Sequence, residues 1–85
     1  MTIEEFEEIF ENTESELSKI DGDNCFLGLQ ILSKYTKNLI HGAEHDRIFS
    51  ESIERLIDAS ITKEDVISLA KLNWSIEDEC LYCFV

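Results

Sequence analysis

Two histidines and a glutamate stand within five residues, in the order that inverzincin metallopeptidases use to hold zinc. They are His41, Glu44 and His45. That chemistry needs both histidines on one helical face, a third ligand from another helix, and the glutamate beside the metal-bound water. Gly42 interrupts the motif, and the surrounding pattern is typical of a loop or a strand. We therefore expect a polar loop that enters a strand, and no peptidase site.

A second motif, C-x-x-C, is formed by Cys80 and Cys83, and His41 with His45 would complete a Cys₂His₂ zinc set. Structural zinc sites usually place such a cysteine pair on a tight turn. On a strand, residues i and i+3 point to opposite faces, so the two sulfurs could not reach one metal ion. We expect two small apolar strand residues, one buried and one partly exposed, with no metal and no cofactor.

Residues 21–24 (DGDN) suggest the start of a calcium loop. An EF-hand would next require an oxygen ligand, a glycine and, at the twelfth position, a glutamate. Those positions hold Cys25, Phe26 and Leu32, so we interpret the segment as a turn between helices. The sequence also has no phosphate-binding glycine loop and no nucleophile elbow, and nothing indicates two carboxylates in one cleft. We expect no catalytic residue and no enzyme.

The densest chemical signal is a run of glutamates near the N-terminus. On a helix they would span about 15 Å of axis, or roughly one charge per 2.5 Å. Duplex DNA carries one charge per ~1.7 Å over both strands, and a single strand one per ~3.4 Å. The similar density predicts a face that imitates a phosphate backbone; the alternative is a face that is merely solvated, since glutamates favour helices. The predicted partner-binding residues are Glu4, Glu5, Glu7, Glu8, Glu11 and Glu14.

The formal net charge is −12, from 19 acidic and 7 basic residues. It is uneven: residues 1–24 carry −8, residues 25–43 carry +2 and residues 44–85 carry −6. This balance disfavours direct binding to nucleic acid or anionic lipid, because both are polyanions. It favours either a basic protein as the partner or a charge that only keeps the protein in solution.

The chain has 85 residues, 44% of them apolar, which is enough for one core and one compact domain over 1–85. No apolar run approaches the roughly 20 residues of a membrane span, and the first five residues are acidic where a signal peptide is basic. We therefore predict a cytoplasmic protein. In that compartment Cys25, Cys80 and Cys83 are expected to stay reduced.

Helical spacing of apolar residues predicts an acidic first helix over about 2–20, which Gly22 ends. Residues 13–16 form a capping-box pattern, so the helix could break and restart there. An α+β body over about 24–85 follows. Its second helix runs from about 25 to 36, capped by Asp23 or Asn24.

The remainder of the body predicts a strand at residues 47–50, a short helix capped by Ser50 or Ser52, and a helix opened by Thr62 that stops near Asn73. Residues 74–76 and 80–85 form a C-terminal β-hairpin around the turn at 77–79. The predicted fold class is α+β, with about four helices and a small antiparallel sheet of about three strands.

Five segments between Gly28 and Val85 resemble a group of small uncharacterised proteins encoded by phages and prophages. They are residues 28–31 (GLQI), 42–46 (GAEHD), 61–66 (ITKEDV), 72–76 (LNWSI) and 83–85 (CFV). The resemblance covers about two thirds of the chain and does not reach the acidic helix. It implies a phage setting and no particular activity or site residue.

Together these features predict a small acidic phage-type binding protein. In the leading hypothesis it inhibits a host nucleic-acid-binding or defence protein, as an anti-CRISPR does, through a helix that imitates DNA. The alternative is a structural or assembly protein that forms a homo-oligomer through the hairpin edge, at Trp74 and residues 82–85. The sequence leaves open the partner's identity, the oligomeric state and any role for His41, His45, Cys80 or Cys83.

Overall fold

The structure, a computed structural model, describes residues 1–84, and in them the predicted α+β class is confirmed. Four α-helices, as predicted, accompany a four-stranded antiparallel sheet, one strand more than predicted. The elements are α1 (Ile3–Asn12), α2 (Asn24–Leu32), β1 (Gly42–Ala43), β2 (Arg47–Ser52), α3 (Ile53–Asp58), α4 (Lys63–Lys71), β3 (Ser75–Glu77) and β4 (Cys80–Phe84), with a 3-10 turn at Leu17–Lys19.

Helix α1 begins in a capping box. The Thr2 hydroxyl accepts a hydrogen bond from the Glu5 N–H (3.1 Å), and the Glu5 carboxylate accepts one from the Thr2 N–H (3.4 Å). The helix ends at Asn12, because Thr13 adopts an extended conformation, and only the 3-10 turn follows. The first helix therefore ends at the capping-box pattern of residues 13–16, where the sequence predicted that it could break. Helix α1 is therefore shorter than the predicted 2–20.

Helix α2 is capped by Asp23, whose carboxylate accepts hydrogen bonds from the backbone of Cys25 (2.9 Å) and Phe26 (3.0 Å). It ends at Leu32, four residues before the predicted end. Gly28 packs directly on the Trp74 indole, where a methyl group would overlap the ring. This close approach fixes α2 against the segment that enters β3.

The sheet has the order β1-β2-β4-β3, so β4 lies inside it, between β2 and β3. This corrects the expectation that the last strand offers an open edge; the free edges are β1 and β3. Trp74, also assigned to the oligomer surface, is 97% buried. Val85, the last residue of the predicted strand, lies outside the described residues. Strand β1 falls in a segment predicted to be a loop, and it pairs with Ile48 and Phe49.

The core lies between the helices and the inner face of the sheet. Its fully buried side chains include Phe6, Leu32, Ile53, Leu56, Val66, Leu69 and Leu81. Helix α1 contributes Phe6 and packs against α4 and α3. Two predicted caps are confirmed: Ser52 accepts from the Arg55 N–H, and Thr62 accepts from the Asp65 N–H.

The cysteines differ from the expectation that all three are reduced. Cys25 and Cys83 form a disulfide, with Cα atoms 5.9 Å apart across a sequence separation of 58 residues. Folding brings the first turn of α2 against β4, and no sequence spacing indicates that contact. Cys80 is a free thiol on the opposite face of β4 from Cys83. As predicted, Cys83 is buried and Cys80 is partly exposed.

Candidate functional site

Four glutamates of α1 lie on one side of the helix. At 3.6 residues per turn, Glu4, Glu7, Glu8 and Glu11 fall within an arc of about 100°. Three of them are exposed, and Glu7 is half-buried. We call this set of four residues the glutamate stripe. It is the part of the predicted partner-binding set that the fold brings onto one surface.

The other side of α1 holds the stripe in place. Phe6 is completely buried, and its ring stacks on that of Phe10 with centroids 5.6 Å apart. Ile3 and Ile9 pack against the same core from either side of Phe6. Because α1 buries one face and leaves the opposite face charged, the carboxylates are presented outward by a helix anchored in the core.

The stripe has no cationic partner within the part of the chain that the structure describes. The ion pairs among residues 1–84 do not involve the four stripe glutamates. The side-chain hydrogen bonds among these residues do not involve them either. Pairs such as Glu4 and Glu8 stand four residues apart on the helix, where like charges repel. The stripe thus concentrates negative charge that intramolecular contacts do not neutralise.

The remaining two predicted partner-binding residues lie elsewhere. Glu5 lies about 60° around the helix from Glu8, and its carboxylate is turned back to Thr2 in the capping box. Glu14 is exposed in the connection after α1, beyond the end of the helix at Asn12. Sequence spacing placed all six on one helix, whereas the helix end and the cap leave four on a common face.

A buried carboxylate provides a contrast that the sequence did not indicate. A β-bulge in β2 places two residues, Ser50 and Glu51, opposite the single residue Leu81 of β4. Glu51 is 98% buried. Its carboxylate accepts hydrogen bonds from the Thr36 hydroxyl (2.9 Å) and the Ser52 N–H (3.1 Å). His41 Nε2 lies 3.3 Å from it.

These contacts set the ionisation of Glu51. Burial alone would raise its pKa, whereas the hydrogen bonds from Ser52 and Thr36 lower it. The charges of His41 and Arg55 act in the same direction, so the pKa lies below its ordinary value. Glu51 is therefore held as an anion that joins β2 to the turn after α2.

Asp65 of α4 is a second paired carboxylate. It accepts hydrogen bonds from the Tyr35 hydroxyl and from the Lys34 ammonium, the latter at 2.9 Å. Burial would raise its pKa, yet the bonds from Tyr35 and Lys34 lower it below the ordinary value. These two hydrogen bonds connect the turn after α2 to the start of α4.

The outer face of the sheet carries aromatic side chains. The Arg47 guanidinium lies 4.9 Å from the Phe49 ring centroid and 5.2 Å from that of Tyr82. It also pairs with Glu44 (2.6 Å) and Glu77 (2.9 Å). Phe84, beside Tyr82, is about half exposed (49%). These side chains form an aromatic face on the side of the sheet opposite the buried Leu81 and Cys83.

The histidines and cysteines do not converge. His41 contacts Glu51, whereas His45 is exposed in the turn between β1 and β2. Among residues 1–84 no group of three or more histidine, cysteine, aspartate or glutamate side chains is arranged to hold a metal ion. Cys80 and Cys83 lie on opposite faces of β4, the arrangement expected for residues i and i+3 of a strand.

Comparisons with known proteins give no relatives: no protein-family model, curated protein or solved structure matches this chain. None of the helices in residues 1–84 is long and apolar enough to cross a membrane. Functional inference therefore depends on the surfaces of the molecule itself.

Proposed function

We propose that this protein binds a basic, nucleic-acid-binding protein through the glutamate stripe of α1, and that it occupies the surface where that partner holds nucleic acid. The observation that carries the proposal is that four carboxylates on an anchored helix face have no cationic partner among residues 1–84. Complementary charge favours fast association and selects a positively charged surface.

The dimensions of the stripe support this reading. From Glu4 to Glu11 the helix rises about 10.5 Å, so the mean axial spacing of its four charges is roughly 3.5 Å. One strand of nucleic acid carries a phosphate about every 3.4 Å. The mean spacing of the charges in the stripe is therefore close to the phosphate spacing along one strand.

The setting that we propose is a phage infection, which the sequence segments between Gly28 and Val85 predict. A phage-encoded protein that covers a nucleic-acid-binding surface would act in the host cytoplasm on a nuclease or another defence protein, as an anti-CRISPR does. In this proposal the protein binds and blocks, and it catalyses no reaction. The uncharged helix α2 and the ion pairs of the body would stay outside the contact.

The test is a charge reversal with a matched control. The stripe variant carries Glu4→Lys, Glu7→Lys, Glu8→Lys and Glu11→Lys; the control reverses four exposed acids outside α1, Asp21, Asp46, Glu54 and Asp58. Both variants change the net charge equally. Immobilised wild type, stripe variant and control are used to capture proteins from a host lysate at low salt. We expect the wild type and the control to retain a basic protein that the stripe variant loses.

Competition then distinguishes mimicry from simple charge attraction. A single-stranded or duplex oligonucleotide should displace the captured protein, and added salt should weaken the contact steeply. Equal capture by the stripe variant would contradict the proposal. So would a stable ternary complex with the oligonucleotide, because the two ligands would then occupy different surfaces.

The alternative function is a homo-oligomer, and the aromatic face favours it. Phe84 and Tyr82 offer a half-exposed apolar surface on the outer side of the sheet, next to the free edge β3. Analytical ultracentrifugation of wild type and Phe84→Ser should then show association that the substitution weakens. A clean monomer at high concentration counts against this alternative.

A further inference from the structure

Two cysteines far apart in sequence meet in the fold. Cys25 lies in the first turn of α2 and Cys83 near the end of β4, and both are at least 95% buried. Their Cα atoms are 5.9 Å apart, inside the range in which a disulfide forms without backbone movement. Cys80, the third cysteine, faces the other side of β4 and takes no part.

The surroundings suit the two sulfurs in both oxidation states. The Asn24 side-chain amide donates a hydrogen bond to Cys83 Sγ (3.3 Å), which a thiol and a disulfide sulfur can both accept. The Phe84 carbonyl oxygen lies 3.1 Å from Cys25 Sγ, placed to accept a thiol hydrogen after reduction. Reduction therefore leaves neither sulfur without a polar partner.

We propose that Cys25 and Cys83 form a reversible thiol–disulfide switch that sets how strongly this fold resists unfolding. The co-reactant is a low-molecular-weight disulfide. Because both sulfurs are buried, the exchange takes place when the contact between α2 and β4 opens locally. One protein thiolate then attacks the small disulfide, forming a mixed disulfide and releasing one small thiol; the second protein thiolate attacks that bond and releases the other. Two electrons pass to the small disulfide, and the protons of the two protein thiols pass to the two released thiols. The reverse exchange opens the cross-link.

The switch acts mainly on the unfolded chain. Closing a loop of 58 residues removes much of its conformational entropy, so the unfolding equilibrium constant should fall roughly a thousandfold in the oxidised form. The stripe is separate from this site: α1 packs against α3 and α4, whereas the cross-link joins α2 to β4. Partner binding should thus be the same in both states while both are folded, and the switch does not depend on the proposed function.

The test uses the full chain with Cys80→Ser, so that only the proposed pair can react. The protein is equilibrated in reduced and oxidised glutathione at a series of ratios, approached from both directions. After denaturing alkylation, intact mass counts free thiols: none in the cross-linked form and two in the reduced form. Urea unfolding of each form, followed by Trp74 fluorescence, measures the difference in stability. Cys25→Ser/Cys83→Ser, with Cys80 retained, is the matched control: Cys80 can take up one glutathione, but the urea midpoint should not depend on the glutathione ratio.

We expect the same fraction of cross-link from both directions and a much higher urea midpoint in the oxidised form. A reduced protein that is unfolded in buffer supports the switch too, since the cross-link then supplies the whole stability margin. The proposal is overturned by thiols that remain alkylatable at every ratio, by cross-links between chains, by a cross-link that native protein never releases, or by equal midpoints. If the double serine variant does not fold, the reduced Cys80→Ser protein provides the comparison without a cross-link.

Discussion

The same carboxylate group plays opposite roles on α1 and on β2. The stripe glutamates project from the charged face of a helix and have no cationic partner within residues 1–84. Glu51 is almost fully buried and is engaged by Thr36, Ser52 and His41. The stripe glutamates repel one another and form no ion pair among these residues, whereas Glu51 loses its partners when the chain unfolds.

This contrast separates charge that stabilises from charge that is available to a partner. A buried anion that is hydrogen-bonded on all sides is costly to disturb, because its partners would be left unsatisfied. Changing an exposed cluster of like charges carries no such cost, because no buried partner is left unsatisfied. The two regions therefore predict opposite responses to the same chemical change, from carboxylate to amide.

The largest effect is expected at Glu51. In Glu51→Gln, one carboxylate oxygen becomes an amide that cannot accept the bonds it received, so the free energy of unfolding should fall by about 1–3 kcal/mol. Glu54→Gln, three residues on and exposed in α3, is the matched control and should change it by less than about 0.5 kcal/mol. Urea denaturation of both variants measures the difference. Equal effects would remove the distinction between paired and unpaired carboxylates.

Acid should next separate the paired carboxylates from the rest. The pKa values of Glu51 and Asp65 are lowered in the folded state, so their contribution is present above the unfolded values near 4 and is lost as the pH falls through the folded values. Stability measured by denaturation between pH 7 and pH 3 should fall at the acid end. Glu51→Gln/Asp65→Asn should start lower and lose less over that range; a slope as steep as that of the wild type would contradict this assignment.

The smallest effect is expected from neutralising the stripe. Glutamine at positions 4, 7, 8 and 11 removes repulsion between neighbours on the helix but also a favourable charge in its first turn. The free energy of unfolding should change by less than about 0.5 kcal/mol per substitution, while salt-sensitive partner binding is lost. Thermal unfolding and a binding assay on the same samples check both outcomes. A large loss of stability would mean that the stripe supports the fold.

Local patterns predicted the helices well because each helix carries its own start signal. Thr62 and Ser52 cap α4 and α3 as expected, and Asp23 caps α2. The break after α1 was also visible in residues 13–16. What the local pattern missed was the capping box at Thr2, which removes Glu5 from the stripe.

The features that sequence did not predict are those that tertiary contacts create. Strand β1 has only Gly42 and Ala43, which carry no strand propensity, and it forms because β2 offers an edge. The bulge that buries Glu51 arises because the pairing register between β2 and β4 shifts between Phe49 and Ser52. The meeting of Cys25 with Cys83 requires the whole fold. In each case the cause lies tens of residues away in the chain or in the opposite strand.

The position of β4 has a consequence for how the molecule is made. The strand in the middle of the sheet is the last of the four in chain order, and both β2 and β3 hydrogen-bond to it. On the ribosome, a nascent chain that has emerged only as far as residue 79 could pair β1 with β2 but could not join either to β3. Completion of the sheet must therefore wait until residues 80–84 leave the exit tunnel, when the remaining strands can close around them within one cooperative step.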